Sequence, residues 1–293
     1  MVTIFALAAA VLYGSADFLG GVATRQSRVL SVLPLSAAAG AVVVVTAALL
    51  SGQSLAAAGG LGWGAAGGAV GGAGLIVFYA GLAAGPMSVV APVSALMATV
   101  VPVAFALAGG ERANAGVYAG ALLCLAAIVL VSSPGPQSSA DPRGGLLRRL
   151  AGGTFQGRAV VYGLAAGTAF GLFFLFLRVA GQSGPLWPVV SARLAGLAVI
   201  ILIAAVTRTR PVLAGMSRRL LLATAGSGAI DAGANICYVI ATRDGLFGLA
   251  VVLTSLYPGV TVLLARFALG ERLHPVQRAG LLLAGIGVVL VTV

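Results

Sequence analysis

Ten long apolar stretches run along this chain, at about residues 3–22, 29–50, 61–81, 87–108, 114–132, 159–180, 186–206, 220–241, 246–268 and 275–292, and shorter polar segments separate them. Each approaches the roughly 20 apolar residues that an α-helix needs to cross a bilayer. None alternates apolar and polar positions with a period of two, and all are too long for barrel strands. A helix satisfies its own backbone in lipid, so the pattern predicts an all-α integral membrane protein with ten transmembrane helices. The first stretch opens Met1-Val2-Thr3-Ile4 with no basic segment. Further spans follow it directly, so it reads as a first helix and not as a cleaved signal.

The pattern occurs twice. Residues 85–131 and 245–291 agree at more than a dozen positions, among them Leu96/Leu256, the triplet Gly110-Glu111-Arg112/Gly270-Glu271-Arg272, and Ala119-Gly120/Ala279-Gly280. The chain therefore reads as a first five-helix repeat (1–132), a linker (133–158) and a second five-helix repeat (159–293). Five is odd, so the second copy is expected to be inverted relative to the first. Inverted copies enclose a site near mid-membrane.

Composition narrows the class. Hydrophobic residues make up 60% of the chain and charged residues 8%, against roughly 25% charged in soluble domains. All 17 basic residues are Arg, and the net charge is +11. Nucleic-acid binding is set aside, because the arginines sit mostly in loops between spans, where membrane topology places them. The linker carries Arg143, Arg148, Arg149 and Arg158 among Pro134, Pro136, Pro142 and several Ser and Gly, so it reads as flexible. The basic loops follow spans 1, 5, 7 and 9 and fall on one side. The positive-inside rule makes that side cytoplasmic and places both termini outside.

Several segments resemble EamA-type members of the drug/metabolite transporter superfamily. They are Tyr13-Gly14-Ser15-Ala16-Asp17-Phe18, with a counterpart in Phe170-Gly171, and the run Leu256-Tyr257-Pro258 through Leu269-Gly270-Glu271-Arg272-Leu273 with the following Ala279-Gly280 helix. The resemblance covers nearly the whole chain and says almost nothing about substrate. It implies a ten-helix basket with a central cavity, alternating access without ATP, an ion or proton gradient as driving force, and termini in the cytoplasm, the reverse of the Arg count. The first repeat has Ala98 where the second has Pro258, so a helix break there falls to Pro92 or Pro102.

Carboxylates at membrane depth cost at least about 2.5–3.5 kcal/mol at the centre of a span, which makes them functional candidates. Asp17 lies in span 1, one turn beyond Tyr13, and Asp231 lies mid-way in span 8. Ser227, Asp231 and Asn235 repeat every four residues, with Tyr238 near the same stripe. Asp17 and Asp231 are expected to bind a cationic group or to carry a coupling proton. The structural alternatives are an Asp231–Arg193 ion pair joining spans 7 and 8, and an interfacial Asp17. Tyr13, Tyr79, Tyr238 and Tyr257 are candidates to line a cavity, Tyr257 above all because Pro258 follows it. Trp63 and Trp187 read as interfacial anchors, and Phe170, Phe173, Phe174 and Phe176 as lipid-facing or core residues. The pairs Gly67/Gly71 and Gly68/Gly72 have the spacing that lets helices approach closely. Glu111-Arg112 and Glu271-Arg272 are expected to pair locally and fix the turn into the next span.

The expected function is secondary active transport, with export the expected direction, of small organic metabolites such as amino acids, amines or drugs across the plasma membrane. No catalytic residue, metal or cofactor is expected, and the partners are a small-molecule substrate and the bilayer, with the chain a monomer or homodimer. Two other classes share parts of this pattern. A membrane-embedded enzyme is poorly supplied, with His274 as the one histidine and no HExxH motif. A flippase-like, lipid-handling protein shares the polar stripe.

Overall fold

The computed structural model describes residues 1–27, 29–53, 60–84, 87–112, 114–132, 146–208, 216–243, 246–269 and 274–292. Its helices are α1 (Val2–Gln26), α2 (Val29–Leu50), α3 (Leu61–Ala84), α4 (Met87–Ala108), α5 (Ala115–Ser132), α6 (Leu146–Gly181), α7 (Trp187–Val206), α8 (Arg218–Arg243), α9 (Phe247–Thr254), α10 (Tyr257–Leu269) and α11 (Pro275–Thr292). Every apolar stretch falls on a helix, and the ninth falls on two. Eight helical spans, with α9 and α10 counted as one, are long and apolar enough to cross a membrane, while Ala115–Val131 and Pro275–Leu290 are apolar but shorter. Helix α6 begins at Leu146, inside the stretch read as linker. The last linker proline is Pro142, and the Leu, Arg and Ala that follow are good helix formers. Residues 133–145 lie outside the described residues.

The most extensive helix contacts all cross between the two halves: α3 with α6 and α7, α1 with α8, α4 with α6, α5 with α11, and α2 with α8. They come in matched sets. Exchanging the halves turns α3·α6 into α8·α1, α3·α7 into α8·α2, and α4·α6 into the packing of α1 against α9 and α10. The pairs α5·α11, α2·α7 and α4·α9 map onto themselves.

Glycine permits this interleaving. On α3, Gly68 and Gly72 face Ala192 and Gly196 of α7, whereas Gly67 and Gly71 face Phe173 and Phe176 of α6. The two small-residue stripes thus serve two neighbours, and their use is the close approach expected of the spacing. A Cβ on Gly68 would run into the Ala192 backbone carbonyl. Gly228, 160 residues further on, meets the Ser36 carbonyl of α2 in the same way.

The helix ends explain the recurring Gly-Glu-Arg triplet in its first copy. Gly110 N–H donates to Leu107 O at 3.0 Å, Glu111 N–H donates to Ala106 O at 3.1 Å, and Gly110 has φ +82°. This is a Schellman ending, whose left-handed residue favours glycine. It delivers the next side chain, Glu111, to the start of α9. The Glu111 carboxylate accepts from Phe247 N–H at 3.0 Å and from Gly248 N–H at 2.9 and 3.2 Å. Local pairing of Glu111 with Arg112 is therefore corrected: the carboxylate caps a helix of the other half, satisfying two amides that the helix cannot. Glu271 and Arg272 lie outside the described residues.

The helix break also differs between the halves. Helix α4 runs without interruption from Met87 to Ala108, through Pro92 and Pro102, so neither proline breaks it. Proline removes one backbone bond, and neighbours in a bundle can absorb that loss. In the second half the chain breaks at Ser255-Leu256, directly before Tyr257-Pro258. Pro258 lacks the N–H that would continue α9 and restricts the residue before it, but it suits the first turn of a new helix.

Candidate functional site

Helix α1 is fixed by hydroxyls from the other half. Ser227 Oγ on α8 donates to Ala16 O at 2.8 Å, Thr254 Oγ1 at the end of α9 to Ala6 O at 3.4 Å, and Thr261 Oγ1 on α10 to Gly14 O at 3.1 Å. Ser227 belongs to the polar stripe of α8, yet it is buried and occupied in this way. Gly14 lets α10 approach, because a Cβ there would stand 2.6 Å from Tyr257 O. These ties set Tyr13 and Asp17 against α8 and α10.

Asp17 is exposed, yet its carboxylate lies within electrostatic reach of Asp231 on α8, Tyr79 on α3 and Tyr257 on α10. An exposed carboxylate within electrostatic reach of three other helices fits a position at a space between them. Among the described residues Asp17 has no hydrogen-bond or ion-pair partner.

Asp231 and Arg193 form an ion pair through Oδ2 and Nη2, with side chains 32% and 16% exposed. The pair bridges α8 and α7, helices that share little direct packing, and both side chains stay partly exposed. Removing one member would strand the other charge, which makes such a pair costly to break whatever its net worth. Tyr13, on α1, lies within reach of both charges.

Around these charges stands an aromatic cluster. The Tyr13 ring lies 6.1 Å from Tyr257 and 5.9 Å from Phe174, both edge-on. Phe174 lies 4.8 Å from Tyr238, whose hydroxyl donates to Phe174 O at 3.0 Å. Tyr238 is thus enclosed and supports the wall instead of lining it. Phe174 is the member of this cluster that sequence reasoning placed only in lipid or core; its position opposite Tyr13 in the fold carries no sequence signal. Asn235 Nδ2 donates to Asp231 O at 2.7 Å, while Asn235 Oδ1 and the Tyr13 hydroxyl are buried without partners.

Other charged and aromatic side chains fall outside this group. Arg178 lies over the Phe247 ring, 4.0 Å from its centroid. The Trp187 indole N–H donates to Gln53 O at 2.9 Å, and Trp63 packs beside Phe176. Pro92 has no described side chain. Among the described residues, no group of three or more His, Cys, Asp or Glu gathers where a metal could sit.

A multi-pass bundle of apolar helices whose halves enclose accessible charges has the construction of a membrane transporter. The sequence model of the EamA-like transporter family matches residues 157–293, so the second half of the chain is similar to that family. The fold also resembles a protein known from a crystal structure, with a TM-score of 0.77 and 18% identity over 99% of this chain and 96% of that one. At that identity the likeness is one of fold. No curated protein matches the sequence significantly.

Proposed function

We propose that the protein is a secondary active transporter that exports small organic metabolites, such as amino acids, amines or drugs, across the plasma membrane. The observation that carries this reading is Asp17, an accessible carboxylate enclosed by α3 of its own half and by α8 and α10 of the other. A charge kept in the interior of an apolar bundle is expensive and serves substrate or ion passage. The matched exchange of helix contacts between halves supports two inverted five-helix repeats, 1–132 and 159–293, that alternate access to this site. Asp17 and Asp231 are the candidates for substrate or coupling-proton binding. Tyr13 and Tyr257 form the wall, Asn235 and Tyr238 its support on α8, and Arg193 the counter-charge. Pro258 provides the hinge. One chain supplies both halves, so it functions as a monomer or as a homodimer of independent units.

The test begins with a thermal-shift screen of the purified, detergent-solubilised protein against amino acids, polyamines, sugars, nucleosides, organic acids and cationic dyes. Binding to the folded state raises the melting temperature. Hits then enter proteoliposomes with an imposed proton gradient. Gradient-driven flux that Asp17→Asn or Asp231→Asn abolishes supports the reading; normal flux in both variants removes these residues from it. Stabilisation by particular lipids alone, with no flux of any soluble compound, would favour lipid handling.

A further inference from the structure

We propose that this site selects a protonated primary monoamine and that Asp17 is the residue that binds its ammonium group. The inference rests on the transporter reading and gives it a substrate class. Asp17 lies within electrostatic reach of Asp231, which is paired with Arg193. Arg193 and Asp231 neutralise each other in their ion pair, so Asp17 is the charge left over. Among the described residues nothing compensates it.

The unused polar atoms point the same way. Asn235 is 2% exposed, and its Oδ1 has no donor. Its amide orientation is fixed, because Nδ2 donates to the Asp231 carbonyl at 2.7 Å and a flipped amide would set oxygen against oxygen. This oxygen can only accept. The Tyr13 hydroxyl, on a residue 8% exposed, is also unpartnered and can accept as well as donate. The site therefore offers a free anion and spare acceptors, while the Arg193 charge is held in its ion pair with Asp231 through Nη2. The tyrosine rings add faces that attract a cation.

Each alternative charge pattern fails against this arrangement. A carboxylate substrate meets Asp17 with repulsion. A quaternary ammonium has no N–H, so the buried acceptors stay unsatisfied. A diamine needs a second free carboxylate, and Asp231 is taken.

The experiment compares four compounds with one phenyl body on the purified protein by isothermal titration: phenethylammonium, its N,N,N-trimethyl analogue, zwitterionic phenylalanine and 3-phenylpropionate. Phenethylammonium is expected to bind, the trimethyl analogue at least about tenfold more weakly, since it cannot make charge-assisted hydrogen bonds, and 3-phenylpropionate not at all. Asp17→Asn should weaken phenethylammonium by at least about tenfold. Asp231→Asn frees Arg193 and should shift preference from the amine toward phenylalanine. Equal binding of the trimethyl analogue, tighter binding of phenylalanine or 3-phenylpropionate to the native protein, or unchanged amine binding in Asp17→Asn would each overturn the proposal. The comparison among compounds needs no variant, so it stands even if a substituted protein folds poorly. The same compounds in proteoliposomes separate the two readings. Flux of phenylalanine or 3-phenylpropionate that is indifferent to Asp17 sinks the amine proposal and keeps the transporter. Absence of flux for any compound, with stabilisation only by lipids, sinks both.

Discussion

Replacing Glu111 with Ala removes the carboxylate that accepts from the Phe247 and Gly248 amides. Those amides open α9, a helix of eight residues that is too short to hold its own first turn without help. Losing an N-cap costs about 0.5–2 kcal/mol, and losing a negative charge at a helix N-terminus adds about 0.3–1 kcal/mol. The site is part-buried, so water can replace some of the lost bonding, and a net cost of about 1–2 kcal/mol is expected. That corresponds to roughly 5–30-fold in an equilibrium. Hydrogen exchange read by mass spectrometry on peptides covering residues 246–250 should therefore accelerate by that factor in Glu111→Ala. Peptides from α3 and α8 should be unaffected. Glu111→Gln keeps one acceptor and loses the charge, so it should fall between. Unchanged exchange at 246–250 in Glu111→Ala would refute the cap. Uniform acceleration across the protein would show that Glu111 supports the whole fold and not this helix start.

The remaining predictions concern packing. Gly68→Val should destabilise strongly, by more than the ~1–3 kcal/mol of ordinary overpacking, because the added atoms meet the Ala192 backbone; loss of monodisperse protein on size exclusion checks it. Gly62→Ala is the control, since nothing lies within 4 Å of its added Cβ, and better helix propensity should stabilise it by up to about 1 kcal/mol. Tyr238→Phe keeps the ring and loses the bond to Phe174 O, and denaturant titration should show a loss of about 0.5–1.5 kcal/mol. Ser227→Ala should cost a similar ~0.5–1.5 kcal/mol by untying α8 from Ala16.

The sequence revealed the helices well because a bilayer leaves the backbone few alternatives, and the glycine stripes of α3 were legible because their spacing has few other uses in an apolar helix. The Asp231–Arg193 pair was readable as an alternative because isolated charges at membrane depth seek each other. Glu111 was misread for a definite reason. Its partners are backbone amides 136 and 137 residues away, and every residue but proline has such an amide, so no residue type marks the target. Ser227 looked like part of a cavity stripe, but its hydroxyl found a backbone carbonyl of α1. Phe174 contributes a ring face and a carbonyl, neither of which a sequence distinguishes from those of its neighbours. What escaped in each case was the pairing of side chains with distant backbone, which depends on register between helices.

The same contacts restrict how the site can open. Helix α1 is tied to α8, α9 and α10 by hydroxyl bonds, and α3 meets α7 at backbone distance through Gly68. Close-packed pairs of this kind move as bodies, since sliding them would force backbone against backbone. Any exchange of access must therefore use the thinner places. Helices α7 and α8 pack little against each other and are bridged by the Asp231–Arg193 pair. The break before Pro258 borders a small apolar crevice, where Ala127, Ile128 and Val131 of α5 face Leu256, Pro258 and Gly259. The first place contains the charges of the site and the second bends the helix that carries Tyr257. A substrate bound at Asp17, within electrostatic reach of Asp231, thus acts on one of the loose seams from close by. Coupling between binding and movement then requires no long chain of contacts, because the group that binds lies beside the pair that holds the seam.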